Sequence, residues 1–184
     1  NSVGFDFHPS SEKLYFTDNG RDWLGDDSPS CELNRVDADG GFYGFPFKHA
    51  TNVVDPEFGN INSGFKFIDP ILELGAHVAP TGITFYDGVM FPEEFQENLF
   101  ITLHGSWNRS QKVGYKLIRV VFNEAGGVEA SEDFITGWLE SSIDEDGNLV
   151  ETVLGRPSAP FIMSDGSMLI SDDKANLIYR VVLK

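Results

Sequence analysis

Short apolar runs alternate with turn residues along most of the chain, and few of the runs have helical spacing. Valine, isoleucine, leucine and aromatic residues form the runs, while glycine, aspartate and proline separate them. Because β-branched and aromatic residues favour strands and the separating residues favour turns, this pattern predicts short antiparallel strands. The best helical segment, Pro92–Gln96, is at most one turn long. The pattern therefore predicts an all-β fold.

Three segments share one order of elements: strand, tight turn, strand, loop, and a third strand with a common ending. That ending is Arg35-Val36 in the first unit, Arg119-Val120 in the second and Arg180-Val181 in the third. Ile71–Leu74 and Val128–Ile135 are predicted to add fourth strands to the first two units. Repeats of short antiparallel strands are typical of β-propeller blades, and the shared ending favours blades over a β-sandwich.

We therefore predict one domain over 1–184, a partial β-propeller of about three four-stranded antiparallel blades. The blade-like units are expected at about 1–75, 76–137 and 155–184. In the third unit no fourth strand is expected, because the chain stops there. The Gly-, Phe-, Asn- and Pro-rich connection over 40–70 is long enough to suggest a functional or disordered loop.

Composition narrows the possible partners. Lysine and arginine total 13 and aspartate and glutamate 29, for a formal net charge of −16 at pH 7. This charge argues against nucleic acid or an anionic membrane surface as a partner. No apolar run approaches the roughly 18 residues of a membrane span. The single cysteine, Cys31, excludes an internal disulfide and a cysteine-cluster metal site.

In an up-and-down blade, the start of the first strand and the loop after the second strand share one edge. Arg21, Arg109 and Arg156 all fall on this shared edge. In so acidic a chain, gathered cations suggest an anionic ligand, although surface ion pairs with nearby aspartates explain them equally well. The segments expected on the shared edge are Asn1, Asp18–Asp27, Gly75–Pro80, His104–Arg109, Gly155–Pro157 and Asp172–Lys174.

Other side chains on the shared edge have more than one interpretation. The acidic segment Asp18–Asp27 is rich in the oxygen ligands that Ca²⁺ prefers, but an ordinary acidic turn is slightly favoured. His77 and His104 are each a candidate general base, cofactor contact or buried structural histidine. Trp23 and Trp107 could stack on a planar ligand or simply pack between blades. No nucleophile motif of a hydrolase is present.

Several blocks, in order along nearly the whole chain, resemble the glucose/sorbosone dehydrogenase family, most closely its L-sorbosone dehydrogenase-like branch. Blocks of this length in the correct order are far more specific than a single short motif. The blocks are Asn1–Pro9, Leu14–Asp27, Glu32–Arg35, Gly44–Pro46, His77–Pro80, His104–Arg109 and Gly155–Pro157.

The resemblance implies a six-bladed propeller that binds pyrroloquinoline quinone (PQQ) and Ca²⁺ and oxidises sugars or aldehydes. It implies cofactor contacts at Asn1 and Arg156, and places His77 and His104 where soluble glucose enzymes carry a threonine and a lysine. We add Asn108 and Arg109, from the same edge, to the expected cofactor contacts. By the same resemblance, the backbone carbonyls of Gly20 and Arg21 hold a catalytic Ca²⁺, and Glu32 with the carbonyl of Tyr43 holds a second, structural Ca²⁺.

One departure from the family changes the expected activity. The catalytic histidine of the family and its partner aspartate lie in earlier blades, so this sequence resembles the C-terminal half alone, and we assign it no catalytic residue. We expect no dehydrogenase activity from the isolated chain, self-association through exposed blade edges, and, by resemblance, a periplasmic or secreted location. The alternative is a non-catalytic propeller module that binds a protein or carbohydrate partner on the same edge.

Overall fold

The computed structural model describes all 184 residues, and its regular structure is almost entirely β-strand. One 3-10 turn, Glu93–Phe95, lies inside the segment predicted to be helical, and no helix has the length and hydropathy of a membrane span. The strands are β1 (Ser2–Phe7), β2 (Leu14–Asp18), β3 (Ser30–Arg35), β4 (Lys48–His49), β5 (Val53–Val54), β6 (Leu72–Ala76), β7 (Pro80–Phe85), β8 (Leu99–Leu103), β9 (Lys116–Phe122), β10 (Val128–Ile135), β11 (Leu139–Ile143), β12 (Leu149–Val153), β13 (Pro157–Ile162), β14 (Met168–Asp172) and β15 (Leu177–Val181).

Three antiparallel sheets form the blades. The first has the order β1-β2-β3-β6, the second β7-β8-β9-β10 and the third β13-β14-β15. Strand β7 lies against β1 on one side and against β13 on the other, so the sheets fan outward from their first strands. The all-β partial propeller predicted from the sequence is confirmed, and the third blade has three strands.

Two short hairpins were not predicted. Strands β4 and β5 pair within the long connection, and β11 and β12 form a separate two-stranded sheet between the second and third blades. Most residues of β11 and β12 are exposed, so these strands lack the apolar pattern that signals a half-buried strand. The carboxylate of Asp144 forms the turn between them by accepting hydrogen bonds from the backbone N–H groups of Asp146 (3.0 Å) and Asn148 (2.8 Å).

The core has two parts, one on each side of the second blade. Strand β8 is buried at every position because it has a neighbouring blade on both faces. Leu99 and Ile101 belong to the cluster shared with the first blade, whereas Phe100 belongs to the cluster that includes Met168 and Ile170 of the third blade. Alternate residues of one strand therefore join three blades into one body.

Threonine hydroxyls join the first strands of neighbouring blades near the centre of the fan. Thr17 Oγ1 accepts a hydrogen bond from Gly4 N (3.1 Å) in its own blade and donates one to Pro80 O (3.0 Å) in the next. Thr102 Oγ1 repeats the arrangement, accepting from Gly82 N (3.0 Å) and donating to Ser158 O (2.8 Å). Both threonines are fully buried.

These bonds bring the first strands so close that a side chain at position 82 would clash with the next blade and one at position 4 would be crowded. A Cβ atom on Gly82 would lie 2.5 Å from Ala159 Cα and 2.6 Å from Ser158 O, both of them backbone atoms of the next blade. A Cβ atom on Gly4 would lie 3.0 Å from Thr81 O. The two glycines therefore fix the spacing of the blades at the centre.

Strand register places the predicted loops on one edge of this fan. Ser2 pairs with Asp18, Pro80 with Leu103 and Pro157 with Asp172, so the same end of each blade carries the start of its first strand and the loop after its second.

Gly82→Ala is expected to lower the free energy of unfolding by about 1–3 kcal/mol, because the added methyl group forces two backbones apart. Chemical denaturation followed by circular dichroism measures this change. Gly127→Ala is the matched control, since a Cβ atom there meets only the side chain of Asn123, at 3.2 Å or more. Equal stability of the two variants would show that the close approach at Gly82 is not a structural requirement.

Candidate cofactor and calcium site

A cavity of about 260 Å³ opens on the shared edge, between the first strands of the blades. Five of the six residues expected to contact a cofactor line it, together with one of the expected calcium ligands, Gly20. Because these residues come from every blade, the cavity exists only in the folded fan. The residues that line it are Asn1, Asn19, Gly20, Asp22, Cys31, His77, Ala79, His104, Trp107, Asn108 and Arg156.

Arg156 is the cation of this cavity that has no carboxylate partner. Its Nε donates to His104 O (3.1 Å) and its Nη2 to Gly105 O (2.6 Å), and its Cζ lies 5.9 Å from the centre of the Tyr115 ring. Two carbonyl oxygens and an aromatic face fix the guanidinium without neutralising it. A fixed, uncompensated guanidinium is suited to binding a planar carboxylate.

The other two arginines on the shared edge do form ion pairs. Arg21 pairs with Asp55, and Arg109 donates to Asp26 O (2.6 Å) and to Asp27 Oδ1 (2.9 Å). Neither lines the cavity, so the structure does not place Arg109 with the other expected cofactor contacts. Of the two interpretations left open by the sequence, ion pairing describes Arg21 and Arg109, and Arg156 alone is free for an anion.

Three further polar side chains of the cavity are held by neighbouring loops. His77 is 8% exposed, and its Nε2 lies 2.7 Å from Gly25 O, which can only accept, so this nitrogen carries a proton. His104 Nε2 is likewise 2.9 Å from Asp173 Oδ1. Asn108 donates to Asp22 Oδ1 at 2.7 Å. Each of these groups is therefore oriented before any ligand binds.

The calcium candidates lie beside this cavity rather than in a cluster of acidic side chains. No group of three or more His, Cys, Asp or Glu side chains is arranged to hold a metal ion. The amide oxygen of Asn19 is buried without a hydrogen-bond partner, next to Gly20 in the cavity lining. An unpartnered hard oxygen beside a backbone turn fits Ca²⁺, which accepts amide and carbonyl ligands.

Glu32 and Tyr43 line a separate cavity of about 180 Å³ that Gly20 also borders. Burial raises the pKa of Glu32, whose carboxylate accepts hydrogen bonds from Ala50 N (2.6 Å) and Asn34 Nδ2 (2.9 Å). The hydroxyl group of Tyr43 donates to Arg35 O (3.0 Å). This second group of expected ligands therefore lines a cavity distinct from the one on the shared edge, although Gly20 borders both.

A larger cavity, of about 470 Å³, lies at the opposite edge of the fan, where His8, Lys13 and Arg35 contribute to its lining. Its cations are neutralised, because Lys13 and Arg35 both pair with Asp37, at 2.6 and 2.9 Å. The smaller cavity on the shared edge is therefore the better candidate for an anionic ligand, despite its size.

The fold defines the chain as part of a β-propeller of the kind found in quinone-dependent sugar dehydrogenases. The calcium structure of Trichoderma reesei Carbohydrate-Active Enzymes Family AA12 matches with a TM-score of 0.67 at 24% identity, over 98% of this chain and 51% of that one. The holo form of the pyranose dehydrogenase PQQ domain from Coprinopsis cinerea matches with a TM-score of 0.68 at 19% identity, over 100% and 54%. At these identities the likeness establishes the fold alone.

The family model described as TrAA12-like matches residues 60–183, and the chain therefore belongs to the TrAA12-like family. An uncharacterized protein of Borreliella burgdorferi is 43% identical over 183 residues, which cover 98% of this chain and 46% of that protein. The chain thus spans about half the length of this relative. The family resemblance inferred from the sequence is confirmed.

Sequence reasoning missed the group that anchors Arg21, in the turn expected to bind calcium. Asp55, in the long connection, is 1% exposed and accepts hydrogen bonds from His49 (2.8 Å), from Arg21, and from the backbone N–H groups of Glu57 (2.9 Å) and Phe58 (2.8 Å). Burial alone would raise the pKa of Asp55, but the hydrogen bonds from His49 and Arg21 outweigh it and lower the pKa well below its usual range. No spacing in the sequence relates Asp55 to Arg21.

Asp55→Asn is expected to lower the melting temperature at pH 7, because it removes the charge on which His49 and Arg21 converge. A carboxylate with a lowered folded-state pKa stabilises the protein above its unfolded pKa of about 3.9, and this stability is lost as the pH falls toward the folded pKa. The gap between variant and parent should therefore stay constant from pH 7 to about 4 and narrow progressively below that in thermal scans. Asp69→Asn, which breaks a more exposed pair with Lys48, is the control. Equal melting temperatures at pH 7 would contradict the role of Asp55.

Proposed function

We propose that this chain is the C-terminal half of a PQQ- and Ca²⁺-dependent sugar or aldehyde dehydrogenase of carbohydrate metabolism, and that it supplies cofactor and calcium contacts. The observation that carries the proposal is the unpaired guanidinium of Arg156, set among His77, His104 and Asn108 in one cavity. Membership of the TrAA12-like family supports it.

The donor set of the cavity suits PQQ, which is a planar tricarboxylate. Arg156 would bind a carboxylate, His104 and Asn108 would donate or accept hydrogen bonds from fixed positions, and the exposed ring of Trp107 would offer an aromatic wall. When bound, PQQ would supply a hydride acceptor and Ca²⁺ a Lewis acid beside it. Asp173 and Asp22 hold the side chains of His104 and Asn108 in place for this task.

The calcium contribution of the chain rests on backbone and amide oxygens. The carbonyls of Gly20 and Arg21, with the amide oxygen of Asn19, would hold the ion beside the cofactor. Glu32 and the carbonyl of Tyr43 would hold a second, structural ion in the adjoining cavity. Asp55 would keep the first turn in place through its pair with Arg21.

The remaining blades would supply the catalytic base, for which we assign no residue here. Apolar side chains stand exposed on the outermost blades, including Phe5 (68%) on β1 and Ile178 (70%) on β15. In the complete enzyme other blades would cover such surfaces, and in the isolated chain a second copy would do so. By analogy with the family, the complete enzyme would be periplasmic or secreted.

Arg156→Ala is expected to weaken PQQ binding by about tenfold or more, because it removes the only unpaired cation of the cavity. Isothermal titration of the 184-residue chain with PQQ in excess Ca²⁺ measures this directly. Arg180→Ala is the matched control, since Arg180 pairs with Asp165 on the third blade, away from the cavity. Equal affinity of the Arg156 variant and the parent would refute the proposed site.

The isolated chain is expected to bind PQQ without oxidising sugars. A dye-reduction assay with PQQ, Ca²⁺ and an aldose or sorbosone should therefore give the rate of the protein-free control. Turnover by the 184-residue chain would show that the catalytic base lies within it. Absence of PQQ binding would instead favour a non-catalytic module that binds a carbohydrate or protein partner on the shared edge.

A further inference from the structure

Two exposed tryptophans stand at the mouth of the cofactor cavity. Trp23 is 80% exposed and Trp107 65%, and their ring centres are 5.8 Å apart with the rings nearly perpendicular, at 83°. Trp107 belongs to the cavity lining, and Trp23 lies beside Trp107 without lining the cavity itself. Exposed aromatic surface beside a polar cavity is typical of a ligand-binding site.

The backbone at Trp23 is strained. Its φ is +70°, in the left-handed region that costs free energy for any residue with a Cβ atom. Glycine adopts this conformation without cost, as Gly25 does two positions later with φ of +100°. Glycine at position 23 would form the same turn without this cost, so the turn alone does not explain why a tryptophan stands there.

Polar contacts fix both loops that carry the rings. Asp22, next to Trp23, accepts from Asn108, next to Trp107, at 2.7 Å. On the far side of Trp23, the carboxylate of Asp26 accepts from the backbone N–H of Ser110 at 3.2 Å. Because these hydrogen bonds hold both loops in place, less conformational entropy is lost when a ligand binds to the rings.

The charge around the rings selects the kind of ligand. Asp22, Asp26 and Asp27 surround Trp23 in the sequence, and the chain carries a net charge of −16. Asp27 is paired with Arg109, whereas Asp22 and Asp26, which accept from Asn108 and Ser110, have further lone pairs that can accept hydrogen bonds from hydroxyl groups. A neutral hexose has an apolar C–H face for an indole ring and hydroxyl groups for the carboxylates. A protein partner would need roughly 800 Å² of contact surface, far more than two side chains offer.

We propose that Trp23 and Trp107 bind successive units of a neutral hexose oligosaccharide whose terminal unit enters the cofactor cavity. This inference rests on the proposed function, because it takes the cavity to be the place where a sugar reacts. It adds that the natural substrate is a chain of sugars rather than a free monosaccharide. Affinity should therefore rise with the number of sugar units.

Titration without PQQ or Ca²⁺ tests this proposal separately from cofactor binding. The 184-residue chain is titrated with glucose, cellotriose, maltotriose and the acidic trigalacturonate. Calorimetry and tryptophan emission monitor the binding. At least one neutral trisaccharide should bind about tenfold or more tightly than glucose and shift the emission, and trigalacturonate should not bind more tightly than that trisaccharide. Binding of glucose as tight as that of both neutral trisaccharides, or binding of trigalacturonate alone, overturns the proposal.

Substitutions assign the binding to the two rings. Trp23→Ala and Trp107→Ala should each weaken trisaccharide binding by about tenfold, the scale of one lost stacking contact. Phe161→Ala, which removes another exposed aromatic ring (63%) outside the cavity lining, should not change it. Unchanged affinity in both tryptophan variants overturns the proposal.

The Trp23→Gly variant distinguishes a binding role of Trp23 from a structural one, because glycine removes the ring and also relieves the left-handed strain. This variant should lose trisaccharide binding while its melting temperature stays equal or rises. A lower melting temperature with retained binding would show that Trp23 has a structural role, and would overturn the proposal. Failure of every saccharide to bind, in a chain that still binds PQQ, would remove the oligosaccharide site and leave the proposed function standing.

Discussion

The hydrogen bond from a buried threonine to the first strand of the next blade sets the geometry on which the site depends. Thr17 reaches Pro80 O and Thr102 reaches Ser158 O, and each also binds the glycine that permits the approach. The hydroxyl groups donate hydrogen bonds to buried carbonyl oxygens, whose burial without a partner would destabilise the folded state. Because the first strands lie so close together, the loops at one end of them converge, and side chains distant in sequence line one cavity.

The same convergence distributes charge unevenly around the shared edge. Aspartates in the loop after β2 are used to anchor the neighbouring loop, through Arg109, Ser110 and Asn108. Arg21 pairs with Asp55 and does not line the cavity. Arg156 is held by carbonyl groups instead, so it keeps its charge available. An acidic protein can thus offer one strong anion contact without becoming generally attractive to polyanions.

The sequence predicted the blades well, because strongly apolar strands alternate with strong turn signals along the chain. It also placed the right loops on one edge, since strand order and direction follow from the repeat. It could not distinguish Arg156 from Arg109, because ion pairing depends on which carboxylate lies within reach after folding. The sequence could not reveal the role of Asp55 for the same reason. Its partners Arg21 and His49 are 34 and 6 positions away, and a propeller repeat does not relate residues at either separation.

The exposed hairpin of β11 and β12 has a consequence for how this family can diversify. Its base is closed by Leu154 N donating to Trp138 O (2.9 Å), and Trp138 is buried in the core between the blades. The tip around Asp144 and Asn148 stands in solvent, so added or deleted residues there would not change the base. Relatives can therefore differ in length at this point while their blades stay in register, although the hairpin starts from the shared edge that also carries the cavity.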